Sequence, residues 1–340
     1  MKTLLKYISI IFIALALIYI GLCALGPKNF NTDVSTQINA PTAVVFNLVN
    51  SVQKHALWND WSLRDTAMSI TYNHIDYGVG AESFWDSPTQ GKGKQKIVES
   101  KRNEKVSTRL QMDGWDGFST ADFIFTNNKK KTNLQWTFRS SEDLPFLMRG
   151  FFMVMGMKGS MKKSYETGVA NIKKIAEERA QRSLYNGYTI TLKTVGERNY
   201  VIKRGEIPMD NAQQFYANSL SSLFAIVQEA GIDMNGRPRG LYYKWDFVAE
   251  TADMAAAIPV KEPISIDGAT SLQLAEGSVI QIDHIGDSES SAVAHFAIED
   301  YMRDNSLFQE LPIVEEYITD SSTEKDPSNW LTRITYYYSN

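Results

Sequence analysis

Hydrophobic positions near the N-terminus form one uninterrupted block. From Tyr7 to Leu25 the chain reads YISIIFIALALIYIGLCAL, in which Ser9 is the only clearly polar side chain. About 20 apolar residues carry a helix across the ~30 Å hydrocarbon core of a bilayer. Because Lys2 and Lys6 precede the block, the positive-inside rule keeps the N-terminus in the cytoplasm. The pattern predicts a single-pass anchor over residues 1–27 in the inner (cytoplasmic) membrane, with the remaining chain extracytoplasmic.

The same block also fits a cleaved secretory signal, which likewise starts with charge and continues with an apolar centre. A small-residue cleavage site is present at Ala24 to Gly26, but Pro27 directly after it is unfavourable for cleavage. Cys23 follows Leu22, which is larger than the residue that lipid attachment to a cysteine requires. The sequence favours an uncleaved anchor, and the cleaved signal remains the alternative.

Alternating apolar and polar residues predict an antiparallel sheet within residues 29–180. A strand-like FNTDVSTQI precedes AVVFNLV, whose apolar residues recur on one helix face, and a long helical pattern begins near Met155. Six alternating segments lie between these helices, at residues 69–72, 82–85, 94–99, 106–112, 120–126 and 133–138. The order predicts an α+β domain in which a long C-terminal helix covers the sheet.

Several short motifs stand out in this first soluble region. They are I-N-A-P-x-x-V-V-F at 38–46, the pair Trp58 and Trp61, G-x-G at 78–80 before Phe84-Trp85, and Leu134-Gln135-Trp136. Their order resembles the helix-grip domain of the polyketide cyclase/START-like (SRPBCC) superfamily. That resemblance implies a cavity for an apolar ligand between helix and sheet, lined by Trp85, Trp115, Trp136 and Phe138. The alternative is that these aromatic side chains fill a solid core.

The segment from Pro145 to Met161 is rich in methionine and phenylalanine. Flexible thioethers adapt to irregular apolar ligands and to membrane-facing surfaces, although they also fill ordinary cores. Nearby Lys158, Lys162 and Lys163 favour contact with anionic lipid headgroups.

A second alternating pattern begins after Asn186-Gly187, which predicts a linker at 181–187 and a second domain over 187–340. The predicted elements are strands at 189–194 and 200–207, a helix at 210–230, strands at 239–247 and 252–260, a strand at 278–284, a helix at 288–304, and strands at 313–319 and 331–338. This is a β-α-β-β unit repeated twice. Such duplication implies pseudo-twofold symmetry with a groove where the halves meet.

Four motifs in this half appear in a characteristic order. They are Gly236-Arg237-Pro238 before Leu241-Tyr242-Tyr243, Ala257-Ile258-Pro259-Val260, the segment EEYITD from Glu315 to Asp320, and Trp330-Leu331-Thr332-Arg333-Ile334. Their order resembles the GyrI-like domain, the effector-binding domain of AraC-type and multidrug-sensing regulators. The resemblance spans nearly the whole second domain.

In the GyrI-like family a buried glutamate of an E-x-Y motif, surrounded by aromatic rings, receives lipophilic cations. The matching motif assigns that role to Glu315, with Tyr317 on the same strand face and Glu316 in solvent on the other. Because the two glutamates are adjacent, a register slip of one residue exchanges their roles. The expected aromatic neighbours are Tyr242, Trp245, Tyr301 and Trp330. The alternative is that both glutamates are exposed charges on an edge strand.

Charge separates the two halves of the chain. Residues 1–186 carry 24 Lys and Arg against 16 Asp and Glu, a net charge of +8, whereas residues 187–340 carry 11 against 23, a net charge of −12. An acidic domain is poorly suited to duplex DNA, and an anchor stands where related regulators carry a DNA-reading module. We therefore expect no nucleic-acid partner.

The sequence contains little conventional catalytic chemistry. The single cysteine, Cys23, lies in the apolar block, and the histidines His55, His74, His284 and His295 lack the spacing of a metal site. No nucleophile elbow, phosphate loop or dinucleotide fingerprint is present. We expect neither a metal nor a cofactor.

Together the patterns predict a membrane-tethered extracytoplasmic protein that binds small molecules. A lipophilic or cationic ligand is expected in the GyrI-like pocket, and an apolar ligand in the START-like cavity. Two alternatives remain. One is a hydrolase of a reactive small molecule with Glu315 as general base and a tyrosine as donor; the other is a membrane-bound scaffold with no ligand.

Overall fold

The computed structural model divides the chain into two compact units, Met1–Gln181 and Arg182–Asn340. We call them the N-terminal unit and the C-terminal unit. The residues described are 2–29, 31–114, 117–128, 131–141, 143–246, 248–319 and 323–340. Both units are α+β, and each is built on one large antiparallel sheet.

The apolar block forms the first helix, α1 (Lys2–Leu25). Within the described residues, its segment Leu4–Leu25 is the one helix long and apolar enough to cross a membrane. Membrane anchors and signal sequences share this property. Most side chains of α1 are exposed, whereas Cys23 near its end is buried.

The remainder of the N-terminal unit wraps a seven-stranded sheet around a long helix. Its elements are β1 (Asn31–Ile38), α2 (Thr42–Val49), α3 (His55–Trp58), α4 (Asp60–Arg64), β2 (Ser69–Tyr72), β3 (Glu82–Ser87), β4 (Gly91–Lys101), β5 (Lys105–Met112), β6 (Ser119–Asn128), β7 (Lys131–Ser140), α5 (Phe146–Val154) and α6 (Met157–Gln181). The strand order is β1-β7-β6-β5-β4-β3-β2, and all neighbours are antiparallel.

Strand alternation decides which face of this sheet is buried. On β6, Phe123 and Phe125 are buried whereas Ile124 between them is exposed. The buried face packs against α2 and α6, where Tyr165 and Ile172 join the core. The short helices α3 and α4 and the separate helix α5 were not predicted, because segments this short have no clear period.

The C-terminal unit contains an eight-stranded sheet and two helices. Its elements are β8 (Leu184–Tyr185), β9 (Tyr188–Thr189), β10 (Thr191–Val195), β11 (Arg198–Pro208), α7 (Ala212–Glu229), β12 (Arg239–Asp246), β13 (Thr251–Val260), β14 (Thr270–Leu274), β15 (Gly277–Ile285), α8 (Ala292–Asp304), β16 (Phe308–Tyr317) and β17 (Leu331–Ser339). The strand order is β10-β15-β17-β16-β12-β13-β11-β14.

This order relates two similar halves about the centre of the sheet. The half β11-α7-β12-β13 has the same order of elements as the half β15-α8-β16-β17, and β12 pairs with β16 where the halves join. Helix α7 packs on β11 and β13, whereas α8 packs on β15 and β17. The strand that precedes each half in sequence pairs with the other half. β10 precedes β11 but pairs with β15, and β14 precedes β15 but pairs with β11. The edge strand β14 was not predicted from its short, largely polar sequence.

The segment expected to be a linker, 181–187, is folded. Strands β8 and β9 form a small hairpin in which Tyr185 is buried. The Arg182 guanidinium lies 3.5 Å from the centre of the Tyr185 ring and 3.0 Å from the Asp304 carboxylate. Arg182 is therefore packed within the C-terminal unit, and this segment is not a solvent-exposed linker.

Candidate functional site

A cavity of about 930 Å³ lies in the N-terminal unit between the sheet and its helices. Its walls come from α3, α4, β2 to β7, the loop after β5, and the segment from Leu144 through α5 to the start of α6. Helix α6 approaches the sheet closely at Gly168, where a Cβ atom would lie 2.8 Å from Cζ3 of Trp136. A glycine at this position lets the long helix close one side of the cavity.

Three of the four aromatic residues expected in a START-like cavity line this space. Trp136 and Phe138 on β7 are buried, and Trp85 on β3 is half-buried. Trp115 lies outside the described residues. Trp136 and Phe138 belong to the hydrophobic core and also line the cavity. Their expected role in ligand binding stays a prediction.

Trp136 is held in place by three other rings. Its centre lies 4.2 Å from that of Tyr165, 4.7 Å from that of Phe123 and 5.4 Å from that of Trp58. Trp136 is buried, and its indole nitrogen Nε1 has no hydrogen-bond partner among the described residues. The N–H group is enclosed by protein atoms, where an unpaired donor is costly.

His55, which also lines the cavity, holds a second buried polar atom. Its Nε2 lies 2.7 Å from the Val49 carbonyl oxygen, so Nε2 carries the proton and Nδ1 is an acceptor. Nδ1 is buried, and none of the described residues partners it with ordinary hydrogen-bond geometry. Burial lowers the pKa of His55 from 6.5 to about 4, although the Val49 carbonyl and the Gln95 amide oppose the shift. The imidazole is therefore neutral near pH 7.

Polar groups follow one edge of the cavity. Asp65, at the end of α4, accepts hydrogen bonds from the hydroxyls of Ser87 and Thr89 at 2.5 and 2.7 Å. These two bonds, that from Ser87 first, lower the pKa of Asp65, so the carboxylate stays charged. The cavity therefore combines an aromatic interior with a polar, anionic edge.

The second candidate site is a group of polar side chains at the centre of the C-terminal sheet. We call it the Glu315 cluster, and its members are Tyr216, Tyr242, His295, Glu315, Tyr317 and Tyr336. Glu315 and Tyr317 lie on β16, which pairs with β12 and β17 in the middle of the sheet. The helices α7 and α8 contribute Tyr216 and His295, so the cluster lies where the two halves meet.

A continuous chain of hydrogen bonds connects five of these side chains. The Tyr317 hydroxyl donates to Oε2 of Glu315 at 3.1 Å, and it lies 2.9 Å from the Tyr242 hydroxyl. Nε2 of His295 lies 3.0 Å from Oε1 of Glu315, and Nδ1 lies 3.0 Å from the Tyr336 hydroxyl. Because Tyr317 uses its proton on Glu315, it accepts a hydrogen bond from Tyr242.

Burial keeps the phenol groups of the cluster protonated. It raises the pKa of Tyr216, Tyr242, Tyr317 and Tyr336, and the negative charge of Glu315 raises each of them further. The Tyr216 hydroxyl is buried and has no hydrogen-bond partner in the described part of the chain, and its ring lies 5.3 Å from that of Tyr317. The cluster therefore surrounds one carboxylate with neutral rings and a spare hydroxyl.

Gly240 leaves space for the hydroxyl groups of Tyr242 and Tyr317. It lies directly opposite Glu315 in the pairing of β12 with β16. A Cβ atom at this position would lie 2.9 Å from the Tyr317 hydroxyl oxygen and 3.0 Å from that of Tyr242. A side chain here would push the two hydroxyls apart, so the cluster depends on this glycine.

Glu316 lies on the opposite face of β16, as strand alternation predicts, but the expectation that it lies in solvent is wrong. Its carboxylate pairs with the buried Arg239 guanidinium at 3.2 Å, and its side chain is only 19% exposed. Arg239 also donates to the Tyr200 hydroxyl. The alternative of two exposed charges on an edge strand is also wrong, because β16 is a central strand.

The structure brings only part of the expected aromatic set to Glu315. Tyr242 belongs to the cluster, and Trp245 stacks on Tyr242 with ring centres 5.3 Å apart. Tyr301 instead packs against Tyr185, and the Trp330 indole donates to the Glu324 carbonyl. Among the described residues, no hydrogen bond or ring contact joins Tyr301 or Trp330 to Glu315.

Sequence reasoning missed Tyr216, His295 and Tyr336. The spacing of the four histidines does not distinguish His295, which is half-buried and follows the buried Ala294 on α8. The available signal was the duplication, because Tyr216 and His295 both lie near the start of the helix in their half. No group of three or more metal-ligating side chains is found within the described ranges.

Comparisons with known proteins identify likenesses for the C-terminal half. No family model matches the sequence, and no curated protein matches it. The crystal structure of the EcmrR C-terminal domain is similar over 45% of this chain and 98% of its own, with 18% identity and a TM-score of 0.41. The EcmrR–DNA complex covers 57% of this chain and 72% of its own, with 16% identity and a TM-score of 0.42. A hydrolase from Listeria innocua covers 44% and 91%, with 14% identity and a TM-score of 0.35.

Proposed function

We propose that this chain is a membrane-tethered protein that binds small molecules. The observation that carries the proposal is the cavity of the N-terminal unit, about 930 Å³ in volume and lined mainly by aromatic and aliphatic side chains. Binding pockets for small molecules span about 300–1,000 Å³ and combine apolar walls with a few well-placed polar groups. The cavity has both properties.

The lining of the cavity defines the chemistry of a fitting ligand. Its aromatic wall, which includes Trp85 and Phe138, suits an apolar body, and the edge beside Asp65 and Thr89 suits a hydrogen-bonding group. We therefore propose an amphiphile whose apolar body fills the cavity and whose polar group lies at this edge.

The architecture supports a helix-grip, START-like domain over residues 29–180. A seven-stranded antiparallel sheet is crossed by the C-terminal helix α6, and the cavity lies between them. Trp58 is buried with its indole donating to the Leu48 carbonyl, which attaches the W-x-x-W segment to α2. The position of α1 supports an anchor, and Lys2 and Lys6 support a cytoplasmic N-terminus.

The Glu315 cluster supports a second binding site, for a lipophilic cation, in a GyrI-like domain over residues 187–340. A carboxylate that is only 7% exposed lies among tyrosine rings and beside one histidine. Such a site attracts a delocalised cation by its charge and by the ring quadrupoles. A weakly hydrated cation also loses little hydration on entry.

One observation favours hydrolysis as a second candidate function. Glu315 accepts hydrogen bonds from His295 and Tyr317, so a base and a potential proton donor are held at about 3 Å from each other. In such an enzyme Glu315 activates a water molecule and a tyrosine protonates the leaving group. Mass spectrometry distinguishes the functions, because a binding protein returns its ligand unchanged. A scaffold role without ligand is the outcome if neither site binds.

The cavity proposal predicts that filling the cavity abolishes binding. Ala121 on β6 is buried and lines the cavity, so Ala121→Phe places a ring in the ligand volume. We expect this variant to bind the fluorescent fatty acid cis-parinaric acid about tenfold more weakly or worse. Equilibrium fluorescence titration of the full chain in detergent measures the affinity.

Ile124→Phe is the matched control, because Ile124 lies on the same strand but on its exposed face. It adds a ring outside the cavity and is expected to leave the affinity unchanged. Equal affinity for the wild type and Ala121→Phe would contradict binding in the cavity, as would equal losses in the two variants.

A further inference from the structure

Helix α5 exposes apolar side chains on almost every side. Between Phe146 and Met155, seven of ten positions carry a large exposed apolar side chain: Phe146, Leu147, Met148, Phe151, Met153, Val154 and Met155. A cluster of this density on a soluble surface marks a site of interaction. Its occupant must itself be apolar, because α5 presents no charged side chain on this surface apart from the half-buried Arg149.

Helix α5 packs directly against the last part of α1. The Tyr19 hydroxyl donates to the Leu147 carbonyl at 2.8 Å, and Cys23 Sγ lies 3.6 Å from the same oxygen. Gly150 faces Cys23 so closely that a Cβ atom there would lie 2.6 Å from Sγ. The exposed apolar surface of α5 is therefore continuous with the apolar surface of α1.

The contact lies at a defined depth along α1. From Tyr19 to Leu25 the helix rises about 9 Å, at about 1.5 Å per residue. Interfacial helices lie about 5–10 Å deep, at the boundary of headgroups and acyl chains. If α1 crosses a bilayer, α5 is thus at the depth of that boundary. Exposed lysines flank the contact, namely Lys28, Lys158, Lys162 and Lys163, and they suit anionic headgroups.

The same segment forms part of the cavity wall. Phe152 of α5 lines the cavity, together with Met157 and Met161 at the start of α6. The segment that packs against α1 therefore also borders the cavity, and its methionine side chains are flexible. An amphiphile that moves between them passes from the membrane to the cavity without crossing water.

From these contacts we infer that α5 is inserted in the membrane leaflet where α1 ends, and that the cavity is filled from the lipid phase. The inference rests on the proposed function for its ligand and its anchor. The partner of α5 is a bilayer leaflet, and the ligand is a membrane-soluble amphiphile. A ligand that enters from water, and α5 as a contact for another protein, are the competing outcomes.

Site-specific quenching tests the insertion of α5. In the full chain reconstituted into vesicles with anionic lipids, Val154→Cys carries an environment-sensitive fluorophore, and Ile124→Cys carries it as a control. Cys23 is buried, so the exposed cysteine is the one labelled, and unsubstituted protein gives the background. We expect nitroxide-labelled lipids to quench the probe at residue 154 strongly and the probe at 124 little. Equal quenching at both positions, or none at 154, overturns the insertion whatever the cavity binds.

Transfer kinetics test the route of filling. cis-Parinaric acid is supplied in donor vesicles, and its arrival in the reconstituted protein is followed by energy transfer from tryptophan. Val154→Asp places a charge at the proposed depth, where it is costly, and we expect transfer about tenfold slower with unchanged equilibrium affinity in detergent. Ile124→Asp is the control. Equal rates in both variants overturn filling from the membrane. Absence of binding in detergent overturns the proposed function and the filling route together, whereas the quenching result still decides the insertion.

Discussion

Glu315→Gln is expected to weaken binding of the lipophilic cation tetraphenylphosphonium by about tenfold or more. The substitution keeps the shape of the side chain but removes the charge, and its amide cannot accept from both His295 and Tyr317. Titration calorimetry on the full chain measures the affinity. In the wild type, ligand at 100 times its dissociation constant adds about 2.7 kcal/mol of stability.

The control for this prediction follows from the structure. Glu316→Gln is unsuitable, because Glu316 pairs with the buried Arg239, so its loss changes stability independently of binding. Glu310→Gln removes the same charge from an exposed position on the same strand. If Glu310→Gln and Glu315→Gln weaken binding equally, the cation responds to the net negative charge of the half, and the Glu315 cluster is not its site.

The same cluster predicts a large change in stability. Glu315→Ala leaves the buried groups of His295 and Tyr317 without their acceptor, at a cost of about 1–3 kcal/mol for each. We expect the C-terminal unit to lose about 3 kcal/mol or more of its free energy of unfolding. Urea unfolding of the full chain, followed by hydrogen exchange of β16 and β17 amides, assigns the loss to this unit. If Glu315→Ala loses less free energy of unfolding than Glu310→Ala, the hydrogen bonds of Glu315 contribute little to stability.

Acid is expected to destabilise the N-terminal unit through His55. Its pKa is about 4 in the folded chain and near 6.5 when exposed, so the unfolded chain binds more protons between these values. The contribution of neutral His55 to the free energy of unfolding is therefore fully present above pH 6.5, and it is lost as the pH decreases towards 4. At about 1.4 kcal/mol per unit of pKa, the total loss is about 3 kcal/mol.

The measurement is urea unfolding between pH 7 and pH 4, with tryptophan fluorescence as the signal. The ring of Trp58 lies 4.7 Å from that of His55, so its emission follows this site. His55→Asn removes the titrating group and is expected to flatten the dependence on pH over this range. His74→Asn, at an exposed position, is the matched control. A pH dependence that persists in His55→Asn would assign the acid sensitivity to the carboxylates.

Local patterns were sufficient to predict most elements of this chain. The six alternating segments of the N-terminal unit correspond to β2 to β7, and the long helical pattern corresponds to α6. Alternation on β16 also placed Glu315 and Tyr317 on one face. These features depend on residues close in sequence, because periodicity within one segment decides which side chains are buried.

Partners contributed by distant segments were not predictable in this way. Glu315 meets His295, which is 20 residues earlier, and Tyr242 bonds to Tyr317 across 75 residues. The contact of α5 with α1 joins Tyr19 to Leu147 across 128 residues. Such contacts follow from how distant helices and strands pack against one another, and the period of a single segment carries no information about them.

The amino-acid sequence by itself determined the apolar N-terminal helix, the two α+β regions, and the alternation of side chains along strands such as β6. Only the tertiary structure decided that Trp85, Trp136 and Phe138 line a cavity, that Glu316 pairs with Arg239, and that His295 belongs with Glu315. The physical reason is the distance along the sequence over which each feature arises. The hydrophobic pattern of a segment depends on neighbouring residues, whereas cavities, ion pairs and hydrogen-bond chains depend on packing between segments that come together only when the chain folds.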